Sequence, residues 1–224
     1  DFPFEKALSK DGISFICEVK RASPSKGMIS PFFPYLDIAR EYERIGASAI
    51  SCLTERKYFL GKPEYLRDIA SIVSIPVLRK DFIIDEYQIY EARALGASAI
   101  LLICAILTDE KMKHFMTLAD SIGLSVLTEV HDEEEVRRAL AAGARIIGVN
   151  NRNLKDFTVS LSNAVRLSSL VPEDVLFVAE SGIRTRKDIE TLERCGADAV
   201  LIGETFMRAP DKEKMFDTLR GGTR

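Results

Sequence analysis

The chain has 224 residues, of which 46% are hydrophobic and 29% are charged, with a formal net charge of −3. This length and composition are typical of a globular domain with a sizeable core. The small negative charge supplies no basic surface, so we expect neither a nucleic-acid partner nor a membrane partner. The longest apolar stretch, 97–107, is interrupted by Ser98 and is too short to span a bilayer.

The cysteine pattern argues against structural metal and against disulfide bonds. Cys17, Cys52, Cys104 and Cys195 are scattered without a CxxC pair, a spacing unlike that of zinc sites or disulfide frameworks. Three of them lie inside apolar runs, where cysteine usually acts as a small hydrophobic residue. The sequence starts at Asp1 without a secretory leader, and we expect a reducing, cytoplasmic location.

Short apolar runs alternate with amphipathic segments of helix length along the whole chain, which predicts parallel strands covered on both faces by helices. A last helix is predicted at 211–219, and no linker interrupts the series, so we expect one domain spanning 1–224. The eight predicted strands are Phe15–Val19, Ala49–Leu53, Pro76–Leu78, Ala99–Ile103, Ser125–Thr128, Arg145–Val149, Val175–Ala179 and Ala199–Ile202.

An internal repeat specifies the architecture. Four versions of one phrase begin at Gly46, Gly96, Gly143 and Gly196, each a glycine that ends a helix and leads into a strand. Steps of 50, 47 and 53 residues leave room for two β/α units each. The pattern predicts an α/β protein with an eight-stranded (β/α)₈ TIM barrel. A doubly wound open sheet is the alternative, but no GxGxxG loop follows the first strand.

Ionisable and amide residues lie at the ends of five of the predicted strands. One such residue alone is usually a solvated loop residue. In a closed barrel, however, the carboxyl ends of all strands face one small volume, where lysines and glutamates shift one another's pKa values. The sequence therefore predicts an acid–base site built from Glu18, Lys20, Lys80, Glu129, Asn150, Glu180 and Ser181.

The last two strands carry a second signal. Gly182 follows the seventh strand and Gly203 the eighth, the loops where barrels often bind phosphate through backbone N–H groups. Ser181 is alternatively a helix N-cap. Neither histidine has the spacing of a metal pair: His114 is predicted on the surface, and His131 at the border of the pocket without a chemical role.

Longer motifs resemble one known family. The segment from Phe15 to Gly27 is similar to the first-strand signature of indole-3-glycerol-phosphate synthases, in which Glu-x-Lys is followed by Ser-Pro-Ser. The resemblance continues in order and spacing over nearly the whole chain, through Leu53-Thr-Glu-x-x-Tyr-Phe59, Leu78-Arg-Lys-Asp-Phe82, Thr128-Glu129, Gly148-Val-Asn-Asn-Arg152 and Ala179-Glu-Ser-Gly-Ile183.

The resemblance implies a cofactor-free carboxy-lyase of tryptophan biosynthesis. Its substrate would be 1-(2-carboxyphenylamino)-1-deoxyribulose 5-phosphate, converted to indole-3-glycerol phosphate, carbon dioxide and water. By resemblance Lys80 is the general acid, Glu129 is the general base of the dehydration, and Lys20 holds the substrate and is a second proton donor. We expect one lysine to titrate near neutral pH. We also expect a monomer, and leave open an association with other tryptophan-pathway enzymes.

The remaining site residues have supporting roles by the same resemblance. Glu18 and Asn150 would orient substrate hydroxyls and the lysines, and Ser181 would be a catalytic or phosphate-contacting serine. Some of the predicted substrate-binding residues would form an apolar wall around the aryl ring, and others would line the phosphate side. The full set is Ser23, Phe59, Phe82, Leu101, Arg152, Glu180, Gly182, Gly203 and Glu204.

Two departures from the family pattern are expected to matter. Only 1–12 precede the first strand, so the family's N-terminal helical segment, which helps to cover the pocket, is expected to be largely absent. His131 stands where some relatives have asparagine. The loop at 21–33, rich in serine, proline and glycine, is predicted to be a mobile lid.

Two other functions compete with this interpretation. A different phosphate-binding barrel isomerase would be expected to use a Cys/Asp or paired-Asp set rather than lysine and glutamate. A catalytically silent barrel serving as a binding subunit would be favoured by loss of Lys80 or Glu129, and both are present.

Overall fold

The computed structural model describes residues 1–153 and 156–222. Eight parallel strands in this part of the chain form a closed barrel, in which each strand pairs with the next in sequence and the last pairs with the first. The predicted TIM barrel is therefore confirmed, and the strand ends differ from the predicted ones by two residues at most. The strands are β1 (Ser14–Val19), β4 (Ala49–Leu53), β5 (Val77–Lys80), β6 (Ala99–Ile103), β7 (Ser125–Val130), β8 (Ile146–Asn150), β9 (Leu176–Glu180) and β10 (Ala199–Ile202).

Helices surround the barrel and cover the outer faces of its strands. None of the helices in the described ranges is long and apolar enough to cross a membrane. The predicted last helix is confirmed at Lys212–Arg220. The helices outside the barrel are α2 (Tyr35–Ile45), α3 (Pro63–Ala70), α4 (Glu86–Ala94), α5 (Asp109–Ser121), α6 (Glu133–Ala142), α7 (Ser162–Ser168), α8 (Arg186–Arg194), α9 (Glu204–Arg208) and α10 (Lys212–Arg220).

The start of α8 corrects one prediction. Ser181 does not cap a helix, because α8 begins at Arg186 and the Thr185 side chain accepts a hydrogen bond from the backbone N–H of Asp188. Asp188 in turn accepts from the Thr185 backbone N–H, which completes a capping box. Ser181 instead lies in the turn after β9, with a left-handed φ of 68°.

The core has two parts, because alternate residues of each strand face opposite sides of the sheet. One part fills the space between strands and helices and holds most of the buried aromatic rings, including Phe115, Phe206 and Phe216. The other part fills the inside of the barrel with aliphatic side chains, including Leu78 and Leu127.

A short helix, α1 (Pro3–Leu8), lies at the N-terminal end of the barrel. Phe4 and Leu8 are fully buried and belong to the cluster inside the barrel. The Ser14 hydroxyl, at the start of β1, donates to the Ala7 carbonyl oxygen at 3.2 Å. The sequence did not predict this helix, which packs at the end of the barrel opposite the predicted active site.

The predicted lid loop contains a two-stranded antiparallel hairpin, β2 (Ala22–Ser23) with β3 (Gly27–Met28). The backbone N–H groups of Ile29 and Ser30 both donate to the Arg21 carbonyl oxygen. The first strand of the hairpin is buried and the second is exposed. The loop thus has local structure, and its mobility stays a prediction.

Candidate active site

A cavity of about 270 Å³ opens at the C-terminal ends of the barrel strands. Every residue that we predicted from the sequence for catalysis or substrate binding lines it, which brings together residues from all eight barrel strands or the loops that follow them. These residues are Glu18, Lys20, Ser23, Phe59, Lys80, Phe82, Leu101, Glu129, Asn150, Arg152, Glu180, Ser181, Gly182, Gly203 and Glu204.

Lys80 stands between two carboxylates. Its Nζ lies 2.7 Å from Oε2 of Glu180 and 3.7 Å from Oε2 of Glu129. Burial by itself would lower the pKa of the Lys80 ammonium, but Glu180, Glu129 and Glu18 outweigh it and raise that pKa far above its ordinary value. The expectation of a lysine that titrates near neutral pH is therefore wrong for Lys80, because the surrounding carboxylates stabilise its charge.

Glu129, at the end of β7, is held in the ionised form. Asn150 Nδ2 donates to its Oε1 at 3.1 Å, and Lys80 approaches Oε2. Burial would raise the pKa of this carboxyl, but the His131 ring nitrogen 3.3 Å away and the charge of Lys80 lower it to about 2. At neutral pH Glu129 is thus available as a proton acceptor.

Glu18 and Lys20 form a second buried ion pair, with Nζ 2.6 Å from Oε1. Burial would raise the pKa of Glu18, but Lys20 and Lys80 lower it below the ordinary value. The pair sits directly against Gly203, where any Cβ atom would collide with Oε1 of Glu18. Glycine at this position therefore lets the turn after β10 approach the pair closely.

Glu180 differs from Glu18 and Glu129 in the direction of its pKa shift. It is 1% exposed, and burial, followed by repulsion from Glu129 and Glu18, raises its pKa in spite of Lys80. Its Oε1 has no hydrogen-bond partner within the described part of the chain and lies where a Cβ on Gly148 would be. The cavity therefore holds two neighbouring carboxyls whose surroundings shift their pKa values in opposite directions, an arrangement that acid–base sites use.

An apolar wall faces the charged cluster. The Phe59 and Phe82 rings lie 6.3 Å apart at 54°, and Leu101 completes the wall from inside the barrel. The Glu55 carboxylate accepts the backbone N–H groups of Lys57, Tyr58 and Phe59 at 2.8, 2.6 and 3.0 Å, and so fixes the turn that presents Phe59. Glu55 stands inside a quoted family motif, but its role was not predicted.

Turns after β8, β9 and β10 form the other side of the cavity. Arg152, Gly182 and Gly203 line it, and the Glu204 carboxylate pairs with Nε of Arg208 at 3.1 Å. Arg184 also lines the cavity and was missed in the sequence, although it is the first charged residue after the Gly182 turn.

The histidines and cysteines lie outside the cavity wall. His114 is exposed on α5 and pairs with Glu86. His131 lies behind Glu129. Across 1–153 and 156–222, no group of three or more His, Cys, Asp or Glu side chains is arranged to hold a metal ion. Cys17, Cys52 and Cys104 are buried free thiols, and Cys195 is partly buried.

Comparison with solved structures supports the fold. The chain is similar to a thiamine phosphate pyrophosphorylase from Pyrococcus furiosus, with a TM-score of 0.69 and 18% identity over 93% of this chain and 94% of the other. It is also similar to a protein named KGPDC from Streptococcus mutans, with a TM-score of 0.72 and 10% identity over 94% and 96% of the two chains. At these identities the likeness concerns the barrel alone.

Comparison with sequences is more specific. The family model for indole-3-glycerol phosphate synthase matches residues 1–219. An indole-3-glycerol phosphate synthase from Ruminiclostridium cellulolyticum is 58% identical over 220 residues, which cover 98% of this chain and 85% of that protein. One from Leuconostoc mesenteroides is 55% identical over 223 residues, covering 99% and 85%. The chain therefore belongs to the indole-3-glycerol phosphate synthase family, whose members are carboxy-lyases of tryptophan biosynthesis.

Proposed function

We propose that this chain converts 1-(2-carboxyphenylamino)-1-deoxyribulose 5-phosphate to indole-3-glycerol phosphate, carbon dioxide and water. The observation that carries the proposal is the position of Lys80 between Glu129 and Glu180, inside a cavity with an aromatic wall. Family membership supports the reaction, and the geometry supports the assignment of these groups to its steps.

Ring closure uses Lys80 as the general acid. The ring carbon that bears the carboxylate attacks the substrate carbonyl carbon, and a proton moves from Nζ to the carbonyl oxygen as charge develops there. The high pKa of Lys80 keeps the acid form populated, and Glu180 at 2.7 Å stabilises its position. The hydrophobic contacts of the aryl group with Phe59 and Phe82 would hold the two reacting carbons together, which lowers the entropic cost of cyclisation.

Decarboxylation follows from the same placement. The bond between the ring carbon and the carboxylate breaks, and its electron pair restores the aromatic system of the cyclised intermediate. An apolar wall excludes water from the carboxylate, which favours its loss as carbon dioxide. Leu101 and Phe59 are the wall residues that we expect nearest to this step.

Dehydration uses Glu129 as the general base. Glu129 accepts a proton from the intermediate, while the former carbonyl oxygen leaves as water with a proton from Lys20 or Lys80. Asn150 holds the Glu129 carboxylate and Glu18 holds Lys20, so both groups are positioned before substrate arrives.

We infer the phosphate position from the turns after β9 and β10. The backbone N–H groups of Gly182 and Glu204, together with Lys20 and Arg152, would bind the phosphate, because backbone donors and cations suit an anion. Ser23 and Ser181 border this side of the cavity. We further propose that the enzyme needs no cofactor, is cytoplasmic, acts as a monomer and forms one domain over 1–224. Residues 154–155 and 223–224 of this domain lie outside the part of the chain that the structure describes.

A product assay tests the proposed function. The purified chain is mixed with the aryl-ribulose phosphate, and we expect indole fluorescence to appear together with one equivalent of carbon dioxide. An isomerase of a related barrel would release no carbon dioxide. A silent binding subunit would bind the substrate without forming product, and either result would contradict the proposal.

A further inference from the structure

His131 follows β7 immediately and lies behind Glu129, outside the cavity lining. Its side chain is 18% exposed. One ring nitrogen, Nε2, lies 3.3 Å from Oε1 of Glu129, and the other, Nδ1, lies 3.1 Å from Oε2 of Glu135. The ring therefore lies between two carboxylates, hydrogen-bonded to Glu135 of α6 and within ion-pairing distance of Glu129 in the cavity.

The surroundings fix the ring on both sides. The Glu135 carboxylate also accepts the backbone N–H of His131 at 2.7 Å, so it is anchored before it contacts the ring. Asn163 Nδ2 donates to the carbonyl oxygens of His131 and Asn150, both at 3.1 Å, which ties the ends of β7 and β8 together. Asn150 itself donates to Glu129. The imidazole is thus part of the scaffold that presents Glu129.

Two carboxylates facing the two nitrogens favour a doubly protonated ring. A neutral imidazole has one nitrogen lone pair, which would point at a carboxylate and repel it. Burial would lower the pKa of His131, but Glu129 and Glu135 raise it to about 10. The Cys104 thiol, which contacts the Glu135 carbonyl oxygen, adds no charge because burial raises its pKa to about 12.

The other charged groups near His131 contact its neighbours rather than the imidazole ring itself. Lys80 approaches Glu129 from the cavity side, opposite to His131. Asp132 caps α6 by accepting the backbone N–H of Glu135. Arg152, on the far side of Asn150, donates its backbone N–H to the Asn150 side-chain oxygen. None of these cations contacts the imidazole, so its charge is governed by Glu129 and Glu135.

We infer that His131 is a positioning residue, which as an imidazolium holds the Glu129 carboxylate in place from behind the cavity. The cation keeps Glu129 ionised through ion pairing, while the Asn150 amide donates the hydrogen bond that orients the same carboxylate from the neighbouring strand. This role rests on the proposed function, in which Glu129 is the base of the dehydration.

The charge of His131 can be measured directly, because the chain has only two histidines. His114→Gln removes the exposed one, which pairs with Glu86 far from the cavity, and leaves a single imidazole to observe. Long-range ¹H–¹⁵N NMR of this variant should show both ring nitrogens protonated from about pH 5 to pH 9. A single titration centred at about pH 6.5, the ordinary value for histidine, would overturn the inference.

The effect on turnover is tested with His131→Asn, which keeps a hydrogen-bond donor but removes the charge. The acid limb of kcat should move upward by about one pH unit or more, because Glu129 loses a contacting cation. KM should change less than kcat at low pH, since His131 does not touch substrate. An equal loss of kcat at every pH would show a merely structural role and contradict the inference.

A second variant separates this inference from the proposed function. Glu129→Gln should lose most of its turnover whatever the charge of His131. Full turnover of Glu129→Gln would overturn the proposed base and with it the catalytic consequence of His131. An ordinary histidine titration in an enzyme that does require Glu129 would overturn the inference alone.

Discussion

The two ends of the eight-stranded barrel differ in the kind of side chain that they bury. At the N-terminal end, Phe4 and Leu8 of α1 fill the opening with apolar side chains, and the charges stay on the surface. At the C-terminal end the strands stop at Glu18, Lys80, Glu129 and other polar residues, which lie almost completely inside the protein. The N-terminal end buries apolar side chains, and the C-terminal end holds the charged side chains of the proposed active site.

The two ends differ in how burial affects the free energy of folding. Burying apolar surface stabilises a fold by about 25 cal/mol per Å². Burying an ion costs several kcal/mol unless it is paired and hydrogen-bonded. The cavity end meets this condition by joining its two lysines at the strand ends to carboxylates, in the pairs Lys20–Glu18 and Lys80–Glu180. We therefore expect changes at the cavity end to affect turnover first, and changes at the α1 end to affect stability.

The largest effect is expected at Lys80. Lys80→Met removes the proposed acid and should reduce kcat by at least roughly 10²–10⁴-fold, the range typical of a positioned acid. Steady-state kinetics measure the loss, and circular dichroism checks that the barrel remains folded. Lys113→Met, an exposed change on α5, serves as the control and should keep normal turnover. A Lys80→Met enzyme with more than about a tenth of normal kcat would contradict the assignment.

The next effect is expected at the opposite end. Phe4 is fully buried, so Phe4→Ala should lower the free energy of unfolding by about 3–5 kcal/mol. The kcat of the folded variant should stay close to normal. Urea unfolding measures the free energy of unfolding, and steady-state kinetics measure kcat. Phe32→Ala, at a ring that is 83% exposed, is the control and should change stability by less than about 0.5 kcal/mol. Loss of turnover in folded Phe4→Ala would mean that the two ends are coupled.

A pH-dependent effect of intermediate size is expected at Glu129. Its folded-state pKa of about 2 lies below the ordinary 4.5, so its ion pairs stabilise the fold above about pH 4.5 and lose this effect as the pH falls toward 2. The stability difference between the wild type and Glu129→Gln should therefore be smaller at pH 3.5 than at pH 7. Urea unfolding at both values measures it, and a difference that grows on acidification would have the wrong sign.

The smallest effect is expected for the charges around α1. Arg145 pairs with Glu5 and Asp120 at 2.9 and 2.8 Å, but about half of its side chain is exposed. Arg145→Ala should therefore cost only about 0.2–1 kcal/mol of unfolding free energy. A loss as large as that of Phe4→Ala would show that charge, rather than burial, closes the N-terminal end.

The sequence predicted the cavity end better than the α1 end. Parallel strands in a closed barrel leave little freedom, so residues at strand ends such as Glu129 and Asn150 must meet at one face. By contrast, α1 has only six residues and no side-chain N-cap, so its periodicity is too short to recognise. The capping box at Thr185 was readable in the sequence and would have prevented the N-cap prediction for Ser181.

Electrostatic surroundings were the least predictable feature. The pKa of Lys80 depends on Glu180, which is 100 residues away in sequence, and on a distance of 2.7 Å that only the folded chain defines. The sequence indicated which groups converge but not which carboxylate each lysine meets. The roles of Glu55 and His131 were missed although their partners are close in sequence, because the contact geometry is defined only in the folded loop.

A crystal structure with an unreactive substrate analogue, in which an alcohol replaces the carbonyl group, tests the proposed site most directly. We expect the aryl ring against Phe59 and Phe82, the phosphate at the turns of Gly182 and Gly203, and the alcohol oxygen within about 3 Å of Lys80 Nζ, a hydrogen-bonding distance. An analogue whose alcohol oxygen lies out of reach of Lys80, or one bound at the α1 end of the barrel, would contradict the proposed catalytic role of this cluster.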